Sequence, residues 1–182
     1  MSAPLEHMLT PQDAARQTQP LRLDWAASER DALATRFDWL ALDGLTATLS
    51  LAAAPAPHVG GWLLRGEVTG DVTRACVASG APVREKRRVK VELLLLPQEQ
   101  QVVVEEDFEL DAAALDTLYF AGGRFDVADI AAESFALALD PWPRAKGADA
   151  FLREKGVLSE EEAGSFGALA ALRDKMAHKG GD

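Results

Sequence analysis

The sequence predicts an α+β protein with a mainly antiparallel β-sheet, open or barrel-like, flanking helices and a C-terminal helical tail. Residues 62–76 and 83–96 alternate between apolar and polar side chains, as long half-buried strands do. Residues 124–143 instead space their apolar side chains with a helical period and end at prolines. A chain of 182 residues, 48% of them hydrophobic, is long enough for one ordinary globular domain.

The N-terminal part of the chain is predicted to hold a flexible segment, two strands and a helix. Residues 1–20 are polar and irregular, which predicts flexibility. Alternation predicts a short strand at residues 21–25 and a half-buried strand at residues 45–54. Between these strands, residues 28–42 read as a helix with Ser28 as its N-cap.

The second of the two long strands is strongly basic. Five of the seven residues from 84 to 90 are Lys or Arg, although the chain has a formal net charge of −10. Because alternate residues of a strand share a face, four of these five lie together. With two arginines of the preceding strand they form a candidate RNA or partner contact: Arg65, Arg74, Arg84, Lys86, Arg88 and Lys90.

An acidic segment follows and offers the basic strand a neighbour. Residues 97–100 form a loop, and residues 101–111 read as a further strand. If Leu96 pairs with Gln101, Leu95 lies opposite Val102 and opposite charges meet across the ladder, which stabilises the pairing. The pairs are Lys90 with Asp107, Arg88 with Glu109 and Lys86 with Asp111. The basic strand is therefore interpreted mainly as a neutralised strand, with Arg65, Arg74 and Arg84 left unaccounted for.

The C-terminal part begins with residues 110–120, which read as a helical turn or loop. Asp126 is predicted to cap the helix at residues 124–143, and Leu137 to lie on its apolar face. Pro141 ends that helix. An extended connector and a last amphipathic helix follow, whose apolar side includes Phe166, Leu169 and Leu172. This helix either packs on the domain or docks in a partner's groove.

These elements predict three regions along the chain. Residues 1–20 are the flexible N-terminal segment, and residues 21–145 are the α+β domain. Residues 146–182 are a linker and the C-terminal amphipathic helix. No stretch resembles a secretory signal, and no apolar run approaches the roughly 20 residues that span a bilayer. We therefore expect a cytoplasmic protein without a membrane segment.

The sequence offers little catalytic or metal-binding chemistry. Only three histidines are present, and no familiar catalytic, nucleotide-binding or zinc-protease motif occurs. Cys76 is the single cysteine, which excludes an internal disulfide and cannot by itself hold a structural zinc. We interpret it as a small buried side chain at the end of a strand. We expect no enzyme activity, no catalytic or metal site and no cofactor.

Trp142 is the remaining candidate contact. It lies between two prolines, and it either covers the sheet or forms an exposed anchor for a partner. The covering position is favoured, because tryptophan is usually mostly buried.

Three motifs occur in order between Val68 and Met176. They are a Cys-x-x-Ser turn followed by Pro-Val, a helix followed by two prolines, and "SFGALAALRDKM" near the C-terminus. In this respect the chain resembles the YceD family, whose members are called large ribosomal RNA subunit accumulation proteins. Ser79 stands where that family has its second cysteine, so a metal or redox role of paired cysteines does not carry over. The matching positions include Cys76, Pro82, Asp126, Leu137, Pro141 and Pro143.

The resemblance implies a non-enzymatic accessory factor in ribosome biogenesis that supports the synthesis, processing or accumulation of large-subunit (23S) rRNA. The sequence pI near 4.8 argues against strong binding to naked RNA, since each phosphate contact needs a Lys or Arg. A basic ribosomal protein or a large-subunit assembly intermediate is a better electrostatic match. The alternative is direct rRNA binding through the basic strand at residues 84–90.

Overall fold

A five-stranded sheet is the largest element of the computed structural model, which describes residues 7–100 and 115–157. The α+β class is confirmed, and the sheet is open rather than closed into a barrel. The strands are β1 (Met8–Leu9), β2 (Leu21–Asp24), β3 (Ala41–Ala53), β4 (Trp62–Ala75), β5 (Pro82–Pro97), β6 (Asp116–Phe120) and β7 (Phe125–Asp126). The helices are α1 (Pro11–Arg16), α2 (Ala27–Arg36), α3 (Val127–Leu137) and α4 (Ala148–Glu154), with a 3-10 turn at Gln98–Gln100.

The strands of the large sheet follow the order β2-β3-β4-β5-β6. β3 pairs antiparallel with both β2 and β4, and a bulge between Leu42 and Gly44 interrupts its register with β4. β6 joins β5 as a parallel strand, with Leu118 opposite Leu95. β1 and β7 form a separate two-stranded antiparallel sheet. The large sheet is thus mostly antiparallel, as predicted, with one parallel pair.

One apolar core joins the sheet to α3. Leu64, Val68 and Phe135 are completely buried in it. A Cβ atom added to Gly70 would lie only 2.5 Å from Cζ of Phe135, so the ring lies directly against the backbone of β4. The absence of a side chain at Gly70 is what permits this close approach. Trp39 packs edge-on against the same ring, with 6.0 Å between centroids.

The helix predicted for residues 28–42 starts earlier and is shorter. α2 begins at Ala27, and the carboxylate of Glu29 accepts the backbone N–H of Ala26 at 2.6 Å. The expectation that Ser28 caps the helix is therefore wrong. The chain reverses at Asp38, whose φ of 56° is a left-handed conformation that aspartate tolerates better than most residues. The residues after this turn enter β3, where strand pairing outweighs local helix propensity.

Two predictions in the C-terminal half are also corrected. Asp116–Phe120 is a strand rather than the helical turn or loop expected there, and Phe120 is buried. In α3 the buried face is centred on Phe135, so Leu137 is 87% exposed instead of lying on the apolar face. The buried side of the helix also carries small side chains, and the spacing of the large apolar residues did not reveal this. The small buried residues are Ala128, Ala131 and Ala132.

The register predicted between the basic strand and the acidic segment is partly corrected. Leu95 was expected opposite Val102, but its partner is Leu118 of β6. The charge pairs of that register involve residues of the segment 101–114, which lies outside the described residues.

Part of the segment predicted to be flexible is folded. Met8 pairs with Asp126 in the small sheet, and Thr10 and Asp13 form a reciprocal capping box at the start of α1. Asp126 also caps α3, as predicted: its Oδ1 accepts the backbone N–H of Ala128 at 2.9 Å. The same atom accepts the N–H of His7 at 2.9 Å. One carboxylate therefore joins the N-terminal strand to the start of α3.

Replacing Asp126 with alanine is expected to lower the free energy of unfolding by about 1–2 kcal/mol, since the cap of α3 is lost. Asp126→Asn is the matched control, because its amide oxygen can still accept the N–H of Ala128 and should retain most of that stability. Urea unfolding followed by circular dichroism measures both changes. An Asp126→Ala variant as stable as the wild type would contradict the assigned cap.

The described chain divides into two compact units. One contains residues 7–74, 84–100 and 115–141, and the other contains residues 75–83 and 142–157. The first unit holds the sheet and its core. The second holds the turn that follows β4, the segment that begins at Trp142, and α4.

Candidate functional site

β3, β4 and β5 share a face on which acidic and basic side chains are interspersed. We call it the charged face. Five basic and four acidic residues lie on it, so its net charge is small. They are Arg65, Arg84, Lys86, Arg88 and Lys90, with Asp43, Glu67, Asp71 and Glu92.

Arg84 makes the best-formed ion pair of the charged face. Its Nε and Nη2 donate to the two carboxylate oxygens of Asp71 at 2.9 and 2.7 Å, a bidentate geometry. Asp43 lies 3.5 Å from the same guanidinium. The hydrogen bond from Arg84 lowers the pKa of Asp71 below its usual value, and the same bond raises the pKa of Arg84.

Two further arginines of the charged face are also paired. Arg65 donates to Oε1 of Glu92 at 2.6 and 2.9 Å, and Arg88 lies 3.8 Å from Glu67. These groups are largely exposed, so each pair contributes at most about 1 kcal/mol to stability. Within residues 7–100 and 115–157, Lys86 and Lys90 form no ion pair. Both lysine side chains are exposed.

Arg74 lies on the opposite, core-facing side of β4. It is only 9% exposed, and its Nη2 donates to Glu85 at 2.8 Å. Its Nη1 donates to the backbone carbonyl of Asp140, just after α3. Its Nε finds no hydrogen-bond partner in the described part of the chain. Arg74 thus joins β4 to β5 and to the end of α3, and it presents little surface to RNA or another partner.

An open cavity of about 360 Å³ lies on the charged face beside the Asp71–Arg84 pair. Its walls mix polar and apolar atoms, and both carboxylates in it lie within 3.5 Å of the guanidinium of Arg84. Among the described residues no group of three or more His, Cys, Asp or Glu side chains could hold a metal ion. The polar side chains of this cavity are Asp43, Thr46, Thr69, Asp71, Arg84 and Lys86.

The second unit contains a tight turn at residues 76–81, which we call the motif turn. The N–H of Cys76 donates to the carbonyl of Ala81 at 2.8 Å, and the N–H of Gly80 donates back to the carbonyl of Cys76 at 2.8 Å. Gly80 has a φ of 71°, a left-handed conformation that favours glycine. Val77 donates to the carbonyl of Pro143 at 2.9 Å. The turn therefore binds two motif regions that are distant in sequence.

Cys76 is buried in the motif turn, where we expected a small buried side chain. Its sulfur accepts a backbone hydrogen bond from Ala145 and further hydrogen bonds from Ser79 and the backbone of Ala78. Hydrogen bonds to sulfur favour the thiolate. They lower the pKa of the thiol from 9.0 to about 7, with Ala145 as the main cause.

This environment gives a titration test of the motif turn. The thiolate absorbance of the folded protein is expected to rise around pH 7, and that of the urea-unfolded protein near the ordinary cysteine value of roughly 8.5. Because the pKa is lowered on folding, Cys76 ionisation stabilises the fold most above the unfolded pKa, and this contribution is lost as the pH falls through about 7. Ser79→Ala should raise the pKa of Cys76 in the folded protein, because it removes one of these hydrogen bonds. Equal titration of folded and unfolded protein would contradict the hydrogen bonds to sulfur.

Trp142 is 70% exposed, so it does not occupy the covered position that the sequence favoured. Pro143 next to it is buried, and Val77 is 51% exposed. The alternative, that Trp142 is an anchor for a partner, remains a prediction, and the exposure of its side chain is consistent with it.

The other motif positions are spread along the fold. Asp126 caps α3, and Leu137 at its end is exposed. Pro82 and Pro141 are also exposed. Three candidate contacts near the C-terminus lie outside the described residues: Phe166, Leu169 and Leu172.

Sequence reasoning missed the acidic partners of the charged face. It sought the neighbour of the basic strand only in the acidic segment that follows, whereas Asp71, Glu67 and Asp43 belong to the strands before it. The motif turn joins β4 to β5, and a short turn between two alternating strands predicts that they are neighbours. That signal was present in the sequence.

None of the helices within the described ranges has the length and apolarity that a membrane crossing requires. Comparison with protein families matches residues 64–173, more than half of the chain, to the family described as "Large ribosomal RNA subunit accumulation protein YceD". No curated protein and no solved structure matches the chain. The match covers the basic strand, the motif turn and α3.

Proposed function

The chain belongs to the YceD family of large ribosomal RNA subunit accumulation proteins. We therefore propose that it is an accessory factor that supports the synthesis, processing or accumulation of large-subunit rRNA. It acts in the cytoplasm without a catalytic step of its own. It binds a ribosomal protein or a large-subunit assembly intermediate, mainly through protein contacts.

The internal pairing of the charged face is the observation that carries this proposal. A strand that binds RNA must offer its cations to phosphates. Here Arg84 is held by Asp71 and Asp43, and Arg65 by Glu92. Phosphate would have to displace these carboxylates, and the carboxylates would repel it. The pairing therefore weakens the case for RNA as the main ligand of the basic strand.

The charge of the whole chain supports the same choice of partner. At −10, the chain repels a polyanion at long range and attracts a basic protein. This steering acts on the association rate and depends on ionic strength.

Direct rRNA binding through residues 84–90 stays the second candidate, since one observation favours it. Lys86 and Lys90 are exposed, and neither forms an ion pair within the described residues. Together with Arg88, whose partner is 3.8 Å away, they could contact about three phosphates.

The triple substitution Lys86→Ala, Arg88→Ala and Lys90→Ala separates the two candidates. If protein contacts dominate, cells that carry this variant in place of the wild type should keep the ratio of large- to small-subunit rRNA within about 20% of normal. If the basic strand binds rRNA, removing three phosphate contacts should reduce the salt slope of RNA affinity by about 2–3. The ratio should then fall toward that of cells from which the gene for this protein has been deleted.

A matched control removes charge without removing phosphate contacts. Glu67→Ala and Glu92→Ala remove carboxylates from the same face. They test whether a loss of charge on this face, of either sign, changes the ratio of large- to small-subunit rRNA. A fall in rRNA with the basic variant but not with the acidic one would favour direct RNA binding over the proposed function.

A further inference from the structure

Two exposed apolar residues of the second unit lie on backbone segments that are joined by a hydrogen bond. Trp142 is 70% exposed and Val77 is 51% exposed. Val77 donates its N–H to the carbonyl of Pro143, the residue after Trp142, at 2.9 Å. This bond sets the two chain segments side by side, and large exposed apolar residues on adjoining segments are candidates for an interaction site. We call these two residues the Trp142–Val77 patch.

The backbone beneath this patch is firmly held. Residue 143 is fixed by the bond from Val77, and residue 145 donates its N–H to the sulfur of Cys76. The motif turn is itself closed by two backbone hydrogen bonds at 2.8 Å. A preorganised patch loses little conformational entropy on binding, which increases affinity for a partner.

The polar residues beside the patch favour a protein partner over RNA. Arg144, two residues after Trp142, donates to Asp149 of α4 at 2.7 Å. The carboxylate is the more exposed member of this pair, 78% against 53% for the arginine. An exposed carboxylate repels phosphate and attracts Lys or Arg. An aliphatic residue such as Val77 also adds nothing to base stacking, but it does add to an apolar protein contact.

We propose that the Trp142–Val77 patch is a protein-docking surface whose partner is a basic protein of the large-subunit assembly intermediate. Trp142 enters an apolar pocket of this partner, with Val77 packed beside it. Asp149 at the rim meets a Lys or Arg of the partner. The inference rests on the proposed function and names the surface through which it operates.

Binding of the purified 182-residue chain to two defined probes tests this inference. One probe is the protein fraction of the large ribosomal subunit, extracted free of RNA, and the other is protein-free large-subunit rRNA. The wild type should retain a basic protein from the first probe. Trp142→Ala should bind that protein at least about 30-fold more weakly, as expected for a tryptophan hot spot.

Two further variants make the test specific. Val77→Asp should also lose binding, because it places a charge inside the apolar contact. Val59→Ala is the matched control, since Val59 is an 83% exposed apolar residue outside the patch, and it should bind like the wild type. All three variants should melt within a few degrees of the wild type, because they change exposed side chains.

The possible results are distinguishable. If Trp142→Ala and Val77→Asp bind the retained protein like the wild type, the docking surface is wrong while the proposed function stands. If the wild type binds only the rRNA, the inference is overturned, and loss of this binding in Trp142→Ala would show that the patch contacts RNA. If the wild type retains nothing from either probe, the inference and the proposed function fail together.

Discussion

Replacing Glu85 with alanine is expected to lower the free energy of unfolding by about 3–5 kcal/mol, the usual cost of leaving a buried charge unpaired. The side chain of Arg74 is 11% exposed, and Glu85 is its carboxylate partner at 2.8 Å. Without Glu85, the guanidinium would keep the carbonyl of Asp140 but would carry an uncompensated charge. Urea unfolding of the wild type and the variant, followed by circular dichroism, measures the difference.

Two comparisons isolate the buried charge as the cause. Glu67→Ala removes a carboxylate from an exposed pair on the charged face and should cost less than about 1 kcal/mol. The double variant Arg74→Met with Glu85→Leu should recover most of the loss, because apolar residues can replace a buried ion pair with little net cost. If Glu85→Ala were no worse than Glu67→Ala, the structural role assigned to Arg74 would be wrong.

Replacing Phe135 with alanine is expected to destabilise the fold by a similar amount, about 3–5 kcal/mol, because it leaves a cavity between α3 and the sheet. Gly70→Ala should cost roughly 1–3 kcal/mol through overpacking, since its Cβ would lie 2.5 Å from Cζ of Phe135. In a chain that already carries Phe135→Ala, the same Gly70→Ala change should cost much less. Double-mutant analysis of urea unfolding measures this coupling.

Additive effects at the two positions would contradict the close contact between the ring and β4. Gly44→Ala is a suitable control for a glycine substitution, because a Cβ atom there would meet nothing within 4 Å. It should not couple to Phe135→Ala.

The strands could be predicted from the sequence because their alternation has a physical origin in burial of one face. β4 was expected at residues 62–76 and is Trp62–Ala75, and the cap of α3 at Asp126 was also expected. Patterns of this kind depend on residues that are close in sequence, so they can be recognised without knowledge of the three-dimensional structure.

The pairing partners of the strands were harder to predict, because the neighbour of a strand depends on contacts throughout the fold. β6 takes the place beside Leu95 that the acidic segment was expected to occupy. Similarly, the spacing of the large apolar residues in α3 does not say which small residues are buried, and Leu137 was therefore misplaced. The exposure of Trp142 could not be read from its residue type, since tryptophan is usually buried.

For the candidate site, too, the local pattern could be predicted and the pairing partners could not. The basic stripe was visible in the sequence, but the ion pairs of Arg84 with Asp71 and of Arg74 with Glu85 need three-dimensional neighbours. They change the interpretation of both arginines. One is balanced on the surface and the other is part of the core, so neither is an obvious phosphate ligand.

Protein-mediated association with the large subunit is the central claim, and affinity purification tests it most directly. The tagged protein is purified from its own cells, and half of the sample is treated with RNase before washing. The account predicts that at least one large-subunit protein remains bound in the treated half. Loss of every large-subunit component on RNase treatment would contradict it and would identify RNA as the ligand.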